Sequence, residues 1–372
     1  MTVVVSEVKS RRDYSEFIHL PEKIHRGHEQ WVPPVWNDER AFFNPSKNIA
    51  FQHCDTILLL ARRNSEVVGR IMGIIHRSYN QLHNESNVRF GFLECYDDQE
   101  TAHALLQAVE NWGRSKGMTR IIGPYGFSDK DPQGLLVEGF EHLAMIASNC
   151  NYPYLVKLVE NEGYSKEIDC FAFRLPMDFK LPEKHRLIYE RVQKSTRYKI
   201  LEFTSRWQLK PYIVPILRVM NKCYQDIYGF IPMEEKEMKE FANRYLPILD
   251  PKFVKVATLQ EEVIGFVVGL PNISRGLQKS GGYLWPFGLF HILRAMKKTK
   301  QIDLMLGGVK PGYQGLGLDL LMGFKLVDSA KAAGFEQIEV HLILETNYKM
   351  LAEVLRLNAD PHKRFRVFQK AL

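Results

Sequence analysis

The chain has 372 residues, 45% of them apolar and 25% charged, with a net charge of +7. This is the composition of an ordinary globular protein with room for two domains. The positive excess favours acidic partners, but the basic residues are scattered and no helix-turn-helix, zinc-finger or RNA-binding signature accompanies them, which argues against nucleic acid. Five cysteines, odd in number and without a Cys-x-x-Cys pair, fit a reducing compartment rather than disulfides or structural zinc.

At the N-terminus, Met1-Thr-Val-Val-Val-Ser-Glu7 has too short an apolar run for a signal peptide, and Arg11 and Arg12 follow it rather than precede it. No later segment approaches the ~18 apolar residues of a membrane span. A cytoplasmic location is expected. His25 and His28 stand three apart without a further metal ligand nearby in sequence, so no metal site is expected.

Further along, Glu66-Val-Val-Gly-Arg-Ile-Met-Gly73 reads as the second arm of a β-hairpin and is echoed by Glu262-Val-Ile-Gly-Phe-Val-Val-Gly269. A helix ending at Lys116-Gly117 and leading into a strand at 120–123 is echoed by a helix ending at Ala333-Gly334 before a strand at 337–344. Asn151 followed by a helix matches Asn347 followed by a helix. These echoes predict two copies of one α/β (α+β) fold, each a mixed, mostly antiparallel sheet with helices on both faces. The copies are expected at 1–175 and 196–372, joined by a linker at 176–195 around Leu175-Pro-Met-Asp-Phe-Lys-Leu-Pro182. The second carries about 21 extra residues between its third and fourth strands. Within the first copy, Phe92-Leu-Glu-Cys-Tyr-Asp-Asp-Gln-Glu100 precedes a helix for which Asp98 is a natural N-cap.

The extra segment, Gly281-Gly-Tyr-Leu-Trp-Pro-Phe-Gly-Leu-Phe-His-Ile-Leu-Arg-Ala-Met-Lys-Lys298, predicts an amphipathic helix with Phe287, Phe290, Leu293 and Met296 on one stripe and a basic end at Arg294, Lys297, Lys298 and Lys300. Two readings stand: a face for a membrane surface or long acyl chain, or extra core laid across the strands.

The strand at 301–309 then feeds Val309-Lys-Pro-Gly-Tyr-Gln-Gly-Leu-Gly-Leu318, a glycine-rich turn into a helix expected from about Leu318 to Ala333. Free N–H groups and the positive helix end over Gly315 and Gly317 suit a pyrophosphate. On the next strand Glu339, His341, Ile343 and Glu345 share a face. His341 reads either as a proton acceptor or as a hydrogen-bonded core histidine, and Glu345 either as a site residue or as a cap for the helix after Asn347.

Gln314-Gly-Leu-Gly-Leu-Asp319 resembles the Gln/Arg-x-x-Gly-x-Gly/Ala loop of the GNAT acyltransferase superfamily, with Asp319 and Leu316 as departures from it. Trp31-Val-Pro-Pro34, Val68-Gly-Arg70, Gly134-Leu-Leu-Val-Glu-Gly-Phe140 and Tyr283-Leu-Trp-Pro-Phe-Gly288 are similar to a bacterial tandem GNAT-like group, some members of which are linked with sphingolipid N-acylation. The resemblance implies acetyl-CoA or a longer acyl-CoA as co-substrate, held by Val309, Gln314, Gly315, Leu316, Gly317 and Leu318. It implies a small-molecule or lipid-like amine as acceptor, with Glu345, His341 and Asn347 as catalytic candidates. The tyrosine acid usual in such enzymes would fall at Val354, and Tyr348 lies too early to replace it. A label attached to some of the group, dATP pyrophosphohydrolase, finds no Nudix-type helix here. The expectation is an acyl-CoA-dependent N-acyltransferase, with a catalytically silent acyl-CoA or lipid-binding scaffold as the alternative.

Overall fold

In a computed structural model, residues 2–372 apart from 147, 181, 195, 196 and 247 are described. The duplication is visible at the level of single residues. Strand Cys54–Arg63 turns through Asn64 and Ser65 into Glu66–His76, and strand Val254–Leu259 turns through Gln260 and Glu261 into Glu262–Pro271. All four turn residues have positive φ, the geometry of a two-residue hairpin turn whose twist matches the strands it joins. Each hairpin also carries one bulge, at Val68 in the first copy and Ile264 in the second, because the register skips those residues.

The chain folds as two compact units: residues 1–170 with 273–295 and 362–372, and residues 171–272 with 296–361. In the first unit the strands run in the order Val4–Glu7, Cys54–Arg63, Glu66–His76, Asn87–Cys95, Arg120–Gly123, Asp360–Ala371. In the second, the order is Ser165–Pro176, Gln337–Leu344, Gln301–Val309, Glu262–Pro271, Val254–Leu259, Lys199–Glu202. The last strand of the chain therefore completes the first unit, where Phe368 pairs with Gly123 and Ala371 with Arg120. The strand that closes the first half of the sequence flanks Gln337–Leu344 in the second unit, with Met177 N–H donating to Glu336 O at 2.8 Å.

In each unit the helix that follows the opening strand is buried against the sheet. Helix Gln99–Ser115 packs Leu105, Leu106 and Val109 with Ile71, Phe90 and Ile121; helix Leu318–Ala332 packs Leu321, Met322 and Leu326 with Ile264, Ile302 and Ile338. Truncating such a residue to alanine costs about 2–5 kcal/mol, because the cavity collapses only in part. Within the stretch 176–195, helix Glu183–Gln193 packs Ile188 and Val192 into the second unit's core.

The extra segment of the second copy belongs to the first unit by the bonds it makes. Trp36 Nε1 donates to Gly281 O at 2.7 Å, and Gln278 Nε2 donates to Glu29 O and Trp31 O at 2.8 Å each. A Cβ on Gly282, whose φ is 78°, would stand 2.2 Å from Pro34 O, so only glycine lets the chains approach here. The apolar stripe of helix Gly288–Lys298 is not extra core: Ile292 is buried, but Trp285 is 80% exposed, Phe287 70% and Phe290 61%. Among the described residues no helix is long and apolar enough to cross a membrane.

Candidate active site

In the second unit, Gln301–Val309 and Gln337–Leu344 run parallel and pair only from Gln301↔Gln337 to Leu304↔Val340. Both strands continue past that point, so they part and expose backbone edges to each other. A bulge assists the parting: Val268 pairs with Leu306 and Gly269 with Leu304, leaving Met305 as the extra residue. At the paired end Asp303 and Glu339 are buried, and Gln301 Nε2 donates to both carboxylates at 2.7 and 3.0 Å. Asn272 Nδ2 donates to Asp303 at 2.8 Å. These two acids serve the closed end rather than the opening.

At the other end lies the glycine turn. Gly312, Gly315 and Gly317 all take left-handed φ, and Gly317 is the N-cap of helix Leu318–Ala332 with no side chain accepting from the first turn. Those N–H groups are oriented for an external anion. Gln314 Nε2 donates to Val309 O at 3.2 Å and ties the turn back to the strand. Gly317 is roofed by Ile188 and Val192, whose Cγ2 atoms would lie 2.6 and 3.0 Å from an added Cβ, whereas Gly315 has open space around it. Asp319 is exposed in the first turn.

The first unit repeats the opening without the turn. Asn87–Cys95 pairs with Arg120–Gly123 over only three residues, Asn87↔Arg120 to Arg89↔Ile122, and then parts from it. The helix that follows is closed by its own cap, since Asp98 accepts from Thr101 N–H at 3.2 Å and pairs with Arg63 at 3.0 Å. It leaves no place for a pyrophosphate.

The duplicated, mostly antiparallel α/β fold is matched in solved structures. A tandem GNAT protein from the clavulanic acid biosynthesis pathway superposes with a TM-score of 0.56 at 11% identity, covering 99% of this chain and 98% of that one. This chain has the tandem GNAT fold. A GCN5-related N-acetyltransferase from Sphaerobacter thermophilus gives a TM-score of 0.52 at 10% identity, over 99% and 95% of the two chains. Among curated proteins, the bacterial ceramide synthase of Caulobacter vibrioides is 28% identical over 378 residues, covering 99% of this chain and 97% of its own. Protein YghO of Escherichia coli is 26% identical over 372 residues, covering 98% and 94%. No protein-family model matches the chain.

The candidates fall at different places in this fold. His341 is the first residue of its strand beyond the last pairing and is half-buried. Glu345 follows the end of the strand. It does not cap the last helix, because Asn347 does so, its side chain accepting from Met350 N–H at 3.2 Å. Val354 is buried in the core and Tyr348 is exposed. One polar group at the opening escaped the sequence reading: Tyr224, at the C-terminal end of helix Arg206–Cys223, reaches Gly307. Nothing in the residues around Tyr224 signals a partner 83 positions away.

Proposed function

We propose that this tandem GNAT is an acyl-CoA-dependent N-acyltransferase that moves a long-chain acyl group onto the amine of a lipid-like acceptor, a sphingoid base being the concrete candidate. The observation that carries the reading is the parted pair Gln301–Val309 and Gln337–Leu344 beside an uncapped helix start with two left-handed glycines. The ceramide synthase likeness over nearly the full length supports the choice of acceptor.

In this reading the N–H groups around Val309 and Gly315 to Leu318 hold the pyrophosphate. A backbone N–H of the parted strand polarises the thioester carbonyl, a dipole fixed in place before the reaction. His341 or Glu345 takes the amine proton, and the departing thiolate draws a proton from the phenol of Tyr224. The exposed face of Trp285, Phe287 and Phe290, followed by Lys297 and Lys298, meets an anionic membrane surface from which such an acceptor is drawn.

Calorimetry of the protein with CoA, acetyl-CoA and a long-chain acyl-CoA tests the reading. Binding of the long-chain form, lost when Gly315 is replaced by valine, is the expected result. Binding of none of the three would overturn it in favour of a silent scaffold, the reading that Asp319 in the first turn favours.

A further inference from the structure

From Lys180 to Lys199 the chain carries seven basic residues against two acidic, which accounts for most of its surplus of +7. Helix Glu183–Gln193 lies in this stretch and sorts it by face. Inward, Ile188 and Val192 stand over Gly317, and Tyr189 meets Phe324 edge-on at 5.4 Å, so the helix is fixed to the start of helix Leu318–Ala332. His185 Nε2 also meets Glu353 at 3.1 Å and ties it to helix Tyr348–Arg356.

Outward, Lys184, Leu187, Arg191 and Lys194 are exposed. They fall at i, i+3, i+7 and i+10, one stripe of the helix surface about 15 Å long. The acids of the helix do not neutralise it, because Arg186 holds both, Glu183 at 2.5 Å and Glu190 at 2.8 Å. Lys184, Arg191 and Lys194 make no ion pair among the described residues. Completion of a helix C-terminus explains cations at 191 and 194. It does not explain Lys184 in the first turn, where the helix dipole disfavours a cation, or Leu187 left 54% exposed between them.

Three unpaired cations around an exposed leucine are complementary to an acidic helix rather than to a single phosphate. A membrane face is built differently, with aromatic residues such as Trp285, Phe287 and Phe290, which the outer face of this helix lacks. One helix diameter, about 10 Å, separates the stripe from the glycine turn. We infer that the stripe docks an acidic carrier protein that presents the acyl group as a thioester on a phosphopantetheine arm. The arm crosses that distance and lays its phosphodiester on the free N–H groups at Gly317. The transfer balances as it does from CoA: the amide C–N bond forms, the C–S bond breaks, and the thiol leaves on the carrier's arm with the amine's proton. This deepens the proposed function by naming a protein donor, and rests on it for the arm's destination; docking itself does not need the turn.

Titration calorimetry of the full chain with a bacterial acyl carrier protein, bare or loaded with a palmitoyl-phosphopantetheine arm, tests the inference. The bare carrier is expected to bind, more weakly as salt rises from about 50 to about 300 mM, and the loaded carrier about tenfold more tightly. Lys184→Glu with Arg191→Glu should weaken both at least tenfold, with the melting temperature and palmitoyl-CoA binding of the parent. Gly315→Val should keep the bare carrier's affinity and abolish the gain from the arm. No binding of either carrier, parental affinity in the charge-reversed variant, or equal binding of bare and loaded carrier by the parent would overturn the inference. Any of these together with loss of anionic-vesicle binding in that variant would give the stripe to a membrane instead. Carrier binding without palmitoyl-CoA binding would sink the acyl-CoA reading and leave the docking face in place.

Discussion

The phenol of Tyr224 holds both backbone groups of Gly307, donating to its carbonyl oxygen at 3.0 Å and accepting from its N–H at 3.3 Å. Gly307 lies on the stretch of strand that has left its parallel neighbour, so the hydroxyl satisfies an edge that no strand covers. Tyr224→Phe should therefore cost about 1 kcal/mol of stability. Under the proposed mechanism it should also lower kcat about 100-fold, the range of a lost proton donor, with the acyl-CoA KM nearly unchanged. Steady-state kinetics beside a thermal melt check both; an unchanged kcat would leave Tyr224 a structural strut.

Gly315 and Gly317 separate binding from folding. Both have φ in the left-handed region, where a side chain costs about 1–2 kcal/mol. A residue at 317 also collides with Ile188, while one at 315 meets open space. Gly315→Val should lose acyl-CoA binding with a melting temperature lowered only by backbone strain, whereas Gly317→Val should lose both. Asp319→Asn should tighten acyl-CoA by up to about fivefold, since a carboxylate in the first turn competes for the same dipole. Titration calorimetry reads all three.

His76 should weaken the fold as pH falls, against an opposing gain from Asp131, whose burial raises its pKa to about 6. His76 is buried beside Arg89, and burial first, then that charge, holds its pKa down to about 4. Its folded pKa lies below its unfolded value of about 6.5, so the unfolded chain takes up the proton first as pH falls. The contribution is intact above about pH 6.5 and is lost between there and 4, where the shift is worth about 3 kcal/mol. His28 adds to the same trend. His76→Asn keeps an acceptor for Tyr79 N–H at the helix start, and should flatten the decline of melting temperature between pH 7 and pH 4.5 by about the loss of one such group.

The face around Trp285 should bind membranes. Replacing Lys297 and Lys298 by glutamate should reduce binding to anionic vesicles by about 1 kcal/mol per lysine removed, and Trp285→Ser should weaken binding to neutral and anionic vesicles alike. Co-sedimentation measures both. Unchanged binding in all variants would leave the segment without a membrane role.

Local patterns carried much of this protein. The sequence by itself determined the two hairpins, the cap at Asp98, the strand–turn–helix from Gln301 to Ala332 and the amphipathic helix after Pro286, because turn φ preference, capping and periodicity act within a few residues. It also flagged His25 and His28 as a histidine pair. Only the tertiary structure decided that Glu94 meets His25 across 69 positions and that Tyr224 meets Gly307 across 83. It decided, too, that the last strand completes the first unit and that the second copy's extra segment docks against Trp36. A strand's hydrogen-bonding edge accepts any partner of suitable register, and an apolar stripe any apolar surface. Which partner it takes depends on the free energy of the whole arrangement, which no local stretch of sequence encodes.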